Sequence, residues 1–98
     1  SDDLPQTFGL NQNYPNPFNP VTTITFDIAE DSFTTLRVFD LTGREVLKLL
    51  ENNLNPGNYS YGLNASDMPS GMYFYRLVAL DSDGKSTFTS TKKLLLMK

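Results

Sequence analysis

The sequence contains no cysteine, no histidine and no tryptophan among its 98 residues. Without cysteine it forms no disulfide, so packing alone must stabilise a domain of this small size. Without histidine it lacks the base of Ser-His-Asp and Cys-His catalysis and the commonest metal ligand. We therefore expect no enzyme activity, no cofactor and no metal centre.

Long apolar runs are also missing. No stretch approaches the ~20 apolar residues that a membrane helix needs. The N-terminal residues Ser1–Leu4 lack the basic segment and apolar run of a signal peptide. We expect that this is not an integral membrane protein, that Ser1 marks a fragment boundary, and that any signal peptide lies upstream of it.

Basic residues are scarce except near the C-terminus. The net charge is −3, from 8 basic and 11 acidic residues, yet the last 14 residues carry four lysines and no acid. A nucleic-acid partner requires a broad basic face with aromatics interleaved, and four lysines are too few for one. The composition therefore argues against nucleic acid as a partner.

Alternating apolar and polar residues predict the first strands. Over Val21–Ile28 apolar residues alternate with threonine and aspartate, which is typical of a half-buried strand. A second strand is predicted over Phe33–Asp40, with Leu36 and Val38 on its inner face. The pattern predicts two neighbouring strands that share one core.

Turn-forming residues separate the next elements. Gly43 and Arg44 lie in a predicted tight reversal, after which the short run Glu45–Leu50 is compatible with a helix or a strand. The cluster Asn52–Gly57 reads as a turn, and it favours the strand because it would complete a β-meander.

The second half of the chain continues the same pattern. A short strand is predicted over 58–64, and Met72–Leu80 is apolar on both faces, as expected of a central strand. Asp81–Lys85 has the residues of a hairpin turn, and Ser86–Leu96 forms the last strand. About seven short strands predict an all-β, immunoglobulin-like antiparallel β-sandwich.

A proline-rich segment precedes the first long strand. It consists of Tyr14, Pro15, Asn16, Pro17, Phe18, Asn19 and Pro20. Prolines lack a backbone donor and push the preceding residue towards extended conformations. We expect a rigid, solvent-facing and extended lead, anchored by Tyr14 and Phe18. This divides the chain into a linker and first-strand lead, 1–13, and a folded domain, 14–98.

The last seven residues, Lys92–Lys98, form an apolar run bracketed by lysines. As an edge strand, the run would use its lysines to block edge-to-edge aggregation. As a recognition element, an extended terminal strand with a free carboxylate can be captured by β-augmentation or carboxylate recognition. The two interpretations are compatible.

Three other clusters have both a functional and a structural interpretation. Asp40 and Glu45 could form an acid/base pair, but solvated turn charges that pair with Arg44 are favoured. Asp81 and Asp83 resemble the start of a calcium loop, but the glutamate at its twelfth position is missing, so a turn is favoured.

The third cluster is aromatic. Its members could stack on sugar rings, whereas burial in the core is the structural interpretation. An accessory module for surface attachment or carbohydrate binding therefore remains the alternative function. The residues are Tyr59, Tyr61, Tyr73, Phe74 and Tyr75.

Four blocks together resemble the type A C-terminal sorting domain of the type IX (Por) secretion system. They follow one another in the family's order from Tyr14 to the last residue, which makes the resemblance specific. The blocks are Tyr14–Pro20 with Thr22–Ile24, Val38–Val46, Ser70–Leu77 and Lys92–Lys98.

The resemblance implies a non-catalytic domain that directs a larger cargo protein from the periplasm across the outer membrane of a Gram-negative bacterium. The implied partners are the type IX translocon, a sortase-like protease that removes the domain on surface attachment, and the upstream cargo domain. Any cleavage site is expected within Asp2–Asn13. The residues implied in recognition are Gly71, Tyr73, Lys92, Lys93, Leu94, Leu95, Leu96, Met97 and Lys98.

Overall fold

The computed structural model describes residues 4–98, so Ser1 and the first part of the expected cleavage region lie outside the described residues. The described chain folds into seven strands, and it contains no helix that could cross a membrane. All of the pairings between these strands are antiparallel, which confirms the predicted all-β architecture. The strands are β1 Gly9–Leu10, β2 Val21–Ile28, β3 Ser32–Phe39, β4 Glu45–Leu54, β5 Gly57–Asn64, β6 Gly71–Leu80 and β7 Ser86–Leu96.

The strands form two sheets that enclose one core. One sheet has the order β1-β2-β5 and the other the order β4-β3-β6-β7. Strand β6 therefore has a neighbour on each side, as its apolar sequence predicted, and β7 lies at the sheet edge.

Alternation places the predicted inner residues in the core. Leu36 and Val38 of β3 are fully buried, and Ile24 and Ile28 of β2 face them from the other sheet with no exposed surface. Their outward neighbours are more exposed. The period-2 pattern therefore fixed the faces of β2 and β3 correctly.

Two hairpins use the same five-residue turn. In the β3–β4 turn Asp40 Oδ1 accepts hydrogen bonds from the main-chain N–H groups of Thr42 (2.9 Å) and Arg44 (3.1 Å), and Gly43 has a φ of 85°. The side-chain hydrogen bond from Thr42 is the main reason that the pKa of Asp40 lies below its usual value. The turn thus uses an aspartate as a cap and a glycine for the left-handed residue.

The β6–β7 turn repeats this arrangement. Asp81 Oδ1 accepts from the N–H groups of Asp83 and Lys85, each at 2.9 Å, and Gly84 has a φ of 81°. The pattern Asp-x-x-Gly-Arg/Lys therefore encodes both turns.

The predicted turn over Asn52–Gly57 is wrong in its first half. Strand β4 continues through Asn52 and Asn53 to Leu54, because these residues pair with Thr34, Phe33 and Ser32 of β3. As β4 is an edge strand, the asparagine side chains remain exposed and need no apolar partner.

The predicted extended lead is also wrong. Residues 14–20 fold back over the sandwich, where the Tyr14 main chain exchanges hydrogen bonds of 2.9 and 3.0 Å with Thr23. Phe18 is 2% exposed and is the predicted anchor, whereas the Tyr14 side chain is 82% exposed and anchors nothing. Pro15, Pro17 and Pro20 each follow a cis peptide bond.

Candidate functional site

The predicted recognition residues come together at one end of the four-stranded sheet. In the antiparallel pairing of β6 with β7, Gly71 lies opposite Leu96 and Tyr73 lies opposite Leu94. Gly71 has a φ of 153°, so its freedom from a side chain permits the start of β6 at this point. Lys92–Lys98, which we call the terminal block, is thus built on the strand that begins at Gly71.

The terminal block presents two kinds of side chain. Leu94 and Leu96 are core residues, with 0% and 1% of their surface exposed. Lys93, Met97 and Lys98 are exposed. The remaining two, Lys92 and Leu95, are half-buried. A partner can therefore contact only part of the block without unfolding the domain.

The outer edge of the terminal block is already paired. Phe18 donates its N–H to Leu95 O and accepts from the N–H of Met97, both at 3.0 Å. Asn16 Oδ1 accepts from the Leu95 N–H at 3.0 Å, and Gln12 Nε2 donates to Lys93 O at 2.7 Å. We call residues 12–18 the clamp segment, because they cover the edge of the terminal block that does not pair with β6.

A buried polar network holds the clamp segment. The Asn13 side chain, in a residue 2% exposed, donates to Thr22 Oγ1 at 2.9 Å and to Pro15 O at 3.1 Å. The Asn13 N–H donates at 2.8 Å to the hydroxyl of Tyr75, which itself donates to Asn11 O at 2.7 Å. Burial raises the pKa of Tyr75 to about 12. Sequence reasoning missed Asn13, since a lone asparagine between polar residues carries no burial signal.

The last residue is tied to the link between β5 and β6. The Lys98 N–H donates to Ser70 Oγ at 3.0 Å, and Lys98 Nζ donates to Ser66 O. Tyr73 donates its hydroxyl to Pro69 O in the same link, at 2.6 Å. Both ends of the terminal block are therefore held by contacts within the domain.

Residues 12–96 match the family described as the secretion system C-terminal sorting domain. The chain belongs to this family. The match covers strands β2 to β7 and leaves out β1, and it confirms the predicted type IX assignment.

One solved structure supports the fold of the sorting domain. It is CopC from Methylosinus trichosporium OB3b, with a TM-score of 0.51 and 16% sequence identity over 92% of this chain and 93% of that chain. At this identity the likeness shows the immunoglobulin-like sandwich and nothing about function. No curated protein matches the chain.

The acidic residues Asp40, Glu45 and Asp81 of the sorting domain have separate structural partners. Asp40 is bonded within its turn, with Arg44 Nε 3.5 Å from Oδ2. Glu45 Oε1 lies 3.3 Å from Arg37 Nε, as an ion pair without the alignment of a hydrogen bond. The structure therefore favours the turn interpretation of Asp40 over an acid/base pair, and the turn bonds of Asp81 favour the same interpretation there.

The aromatic cluster does not form one surface. Tyr73 and Tyr75 are buried in the core. Tyr59 and Tyr61 are partly buried and pack against it, and the Tyr59 ring stacks on that of Phe26 with centroids 5.5 Å apart. Phe74 is on the outer face of the four-stranded sheet, because it alternates with its buried neighbours. The five side chains therefore offer no shared platform for a sugar.

Proposed function

We propose that this sorting domain is a non-catalytic signal that takes an upstream cargo from the periplasm through the type IX translocon, which recognises the terminal block. The family match over residues 12–96 carries the proposal. Family membership itself implies export and a surface or secreted fate for the protein that contains the domain.

The exposed side chains of the terminal block are the proposed contact points. Lys93, Met97 and Lys98 are exposed, and the last 14 residues contain no acid. Such a basic edge fits an acidic surface on the translocon, because charge complementarity steers association and fixes register. Gly71 and Tyr73 act in this proposal by holding the block in place.

We further propose that a sortase-like protease cuts the chain before Phe8. Leu4, Gln6 and Thr7 are exposed, whereas Leu10 is buried and hydrogen-bonded in β1. Proteases require an accessible, extendable segment, so the residues ahead of β1 satisfy this better than those within it. The removed fragment would then be the intact sandwich. Mass spectrometry of the released domain would reveal its first residue, and a start beyond Leu10 would contradict this placement.

A reporter fusion tests the proposed function. A periplasmic reporter joined to the N-terminus of this chain should reach the surface or the medium of a type IX-competent host, and the reporter alone should stay in the periplasm. Deletion of Lys92–Lys98 should retain the fusion. Export that is unchanged by the deletion would contradict the role of the terminal block.

The deletion needs a fold control. It removes Leu94 and Leu96 from the core, so it is expected to destabilise the sandwich as well as delete the signal. Variants that change only the exposed side chains Lys93, Met97 and Lys98 separate the two effects.

A further inference from the structure

The outer edge of β7 differs along its length. Along β7, every second residue directs its main-chain N–H and C=O groups away from β6, towards the outer edge. These residues are Thr89, Thr91, Lys93, Leu95 and, just after the strand, Met97. From Lys93 onwards the clamp segment occupies this edge. At Thr89 and Thr91 the side chains are exposed, and no residue within 4–98 bonds the outward main-chain groups.

The clamp segment pairs with β7 in the way that the first residues of an added parallel strand would. The two main-chain bonds of Phe18, to Leu95 O and from the Met97 N–H, form a parallel bridge between Phe18 and Leu96. A partner strand that pairs with the terminal block requires these same donors and acceptors. The clamp segment and the partner strand therefore cannot bind the block together.

We propose that the clamp segment is an intramolecular competitor that must leave the edge of β7 before an extended segment of the translocon can pair with the terminal block. The partner is an extended polypeptide that first pairs at Thr89 and Thr91 and then displaces residues 12–18. This inference rests on the proposed function and adds its regulation. It also makes the recognition of the terminal block depend on the segment through which the domain is joined to its cargo.

The clamp segment is held at two buried anchors and is most easily detached from β7 between them. Asn13 is held by its buried network, and Phe18 fills the end of the core. Asn16 lies between these anchors, is exposed, and bonds the edge through its side chain alone. A substitution at Asn16 can therefore remove the hydrogen bond from the Leu95 N–H with little effect on the core.

Amide hydrogen exchange tests whether the clamp segment opens independently. The Leu95 and Met97 amides face the segment, whereas those of Leu94 and Leu96 face β6. We expect the first pair to exchange at least about tenfold faster than the second, because local opening exposes only the first. Asn16→Ala should accelerate exchange at Leu95 by a further factor of about three to ten, as one hydrogen bond is lost. Equal rates for all four amides would overturn the proposal.

A disulfide lock tests the consequence for export. Tyr14 of the clamp segment and Thr23 of β2 form an isolated antiparallel bridge in which their main chains exchange two hydrogen bonds, and both side chains are exposed. Tyr14→Cys with Thr23→Cys therefore places two cysteines outside the terminal block at the roughly 5.5 Å Cα spacing that a disulfide accepts, and the bond fixes the clamp segment to β2. The chain has no other cysteine to compete. In the reporter fusion, the oxidised double variant should be retained in the periplasm. Both single variants, and the double variant reduced with dithiothreitol, should be exported.

The controls separate this proposal from the proposed function. Alkylation with a mass-tagged maleimide measures the fraction locked, and a melting curve of the purified oxidised domain confirms its fold. Export of the locked fusion at the level of the reduced one would overturn the competition. If the unmodified domain does not export the reporter, the proposed function is wrong. The amide exchange rates at Leu95 and Met97 would still show whether the clamp segment opens independently.

Discussion

Individual buried polar residues hold the clamp segment against the sandwich. The Tyr75 hydroxyl both donates to Asn11 O and accepts from the Asn13 N–H, so it links the core of β6 to the chain that precedes β2. A hydroxyl that satisfies a buried N–H contributes more than one at the surface, because its removal leaves that donor unpaired.

We predict that Tyr75→Phe lowers the free energy of unfolding by about 1–3 kcal/mol, since it leaves the Asn13 N–H without its partner. The matched control is Tyr73→Phe, which removes a single bond to Pro69 O and should cost about 0.5–1.5 kcal/mol. Urea unfolding at neutral pH measures both. A smaller loss for Tyr75 than for Tyr73 would contradict the linking role.

The raised pKa of Tyr75 adds a pH signature. Because its folded pKa of about 12 exceeds the usual value of 10.0, the stability that the neutral hydroxyl contributes is full below pH 10 and is lost as pH rises towards 12. This fall in unfolding free energy should be smaller in Tyr75→Phe. An equal fall in both proteins would assign the alkaline transition to other groups.

Phe18 and Tyr14 provide a second residue-scale comparison. Phe18 is 2% exposed and Tyr14 is 82% exposed, although both are aromatic residues of the same segment. We predict that Phe18→Ser costs about 3–5 kcal/mol, as for other large buried side chains. Tyr14→Ser should change the stability by less than about 0.5 kcal/mol. A thermal or urea melt of the two variants checks the contrast, and similar losses would show that Tyr14 is an anchor after all.

At the scale of elements, the two aspartate-capped hairpins fix the register of the four-stranded sheet. Asp40 caps the turn between β3 and β4, and Asp81 caps the turn between β6 and β7. Each turn places a glycine where a left-handed residue is needed. The register of β7, and therefore which residues of the terminal block face outwards, depends on the second of these turns together with the register shift between Ala79 and Leu80.

The cap of the first hairpin predicts an acid-dependent effect. Hydrogen bonds, first that from the Thr42 side chain, lower the folded pKa of Asp40, so its stabilisation is present above about pH 4 and is lost as pH falls through the folded pKa. Asp40→Ala should therefore lower the melting temperature at about pH 6, and this loss should shrink as the pH is lowered below about 4. Asp83→Ala, which changes an exposed carboxylate of the other turn, is the control. A pH-independent loss for Asp40→Ala would contradict the role of the carboxylate charge.

The sequence predicted most strands and turns because residue alternation and turn-forming residues lie within the elements themselves. Alternation identified the inner faces of β2 and β3, and the Asp-Gly pattern identified the β6–β7 turn. The end of β4 was missed because asparagine favours turns, while on an edge strand the pairing with β3 decides. Tertiary pairing therefore overrode local preference at Asn52 and Asn53.

At the scale of the whole molecule, the candidate site joins segments almost 80 residues apart in sequence. The sequence indicated the terminal block and the proline-rich segment separately, through their unusual compositions. It could not indicate that Asn16 and Phe18 pair with Leu95, because this contact depends on the path of the chain across the end of the sandwich. The extended lead was a wrong prediction for the same reason.

This arrangement changes how the two ends of the sorting domain relate. The clamp segment near the N-terminus is not a simple spacer, since it covers the edge of the proposed recognition strand. In the proposed mechanism, displacement of this segment and recognition of the terminal block are one event. Any such coupling requires that the translocon recognises the exposed side chains of the terminal block.

The most direct test of that claim is export of the reporter fusion carrying Lys93→Glu, Met97→Glu and Lys98→Glu, which leaves the core residues Leu94 and Leu96 in place. The matched control, with Lys48→Glu, Val46→Glu and Lys85→Glu, likewise makes two lysine-to-glutamate changes and one apolar-to-glutamate change, at exposed positions outside the block. With both domains shown to be folded by their melting curves, we predict that the first fusion stays in the periplasm and the control is exported. Equal export of the two fusions would show that the exposed side chains of the terminal block are not recognised.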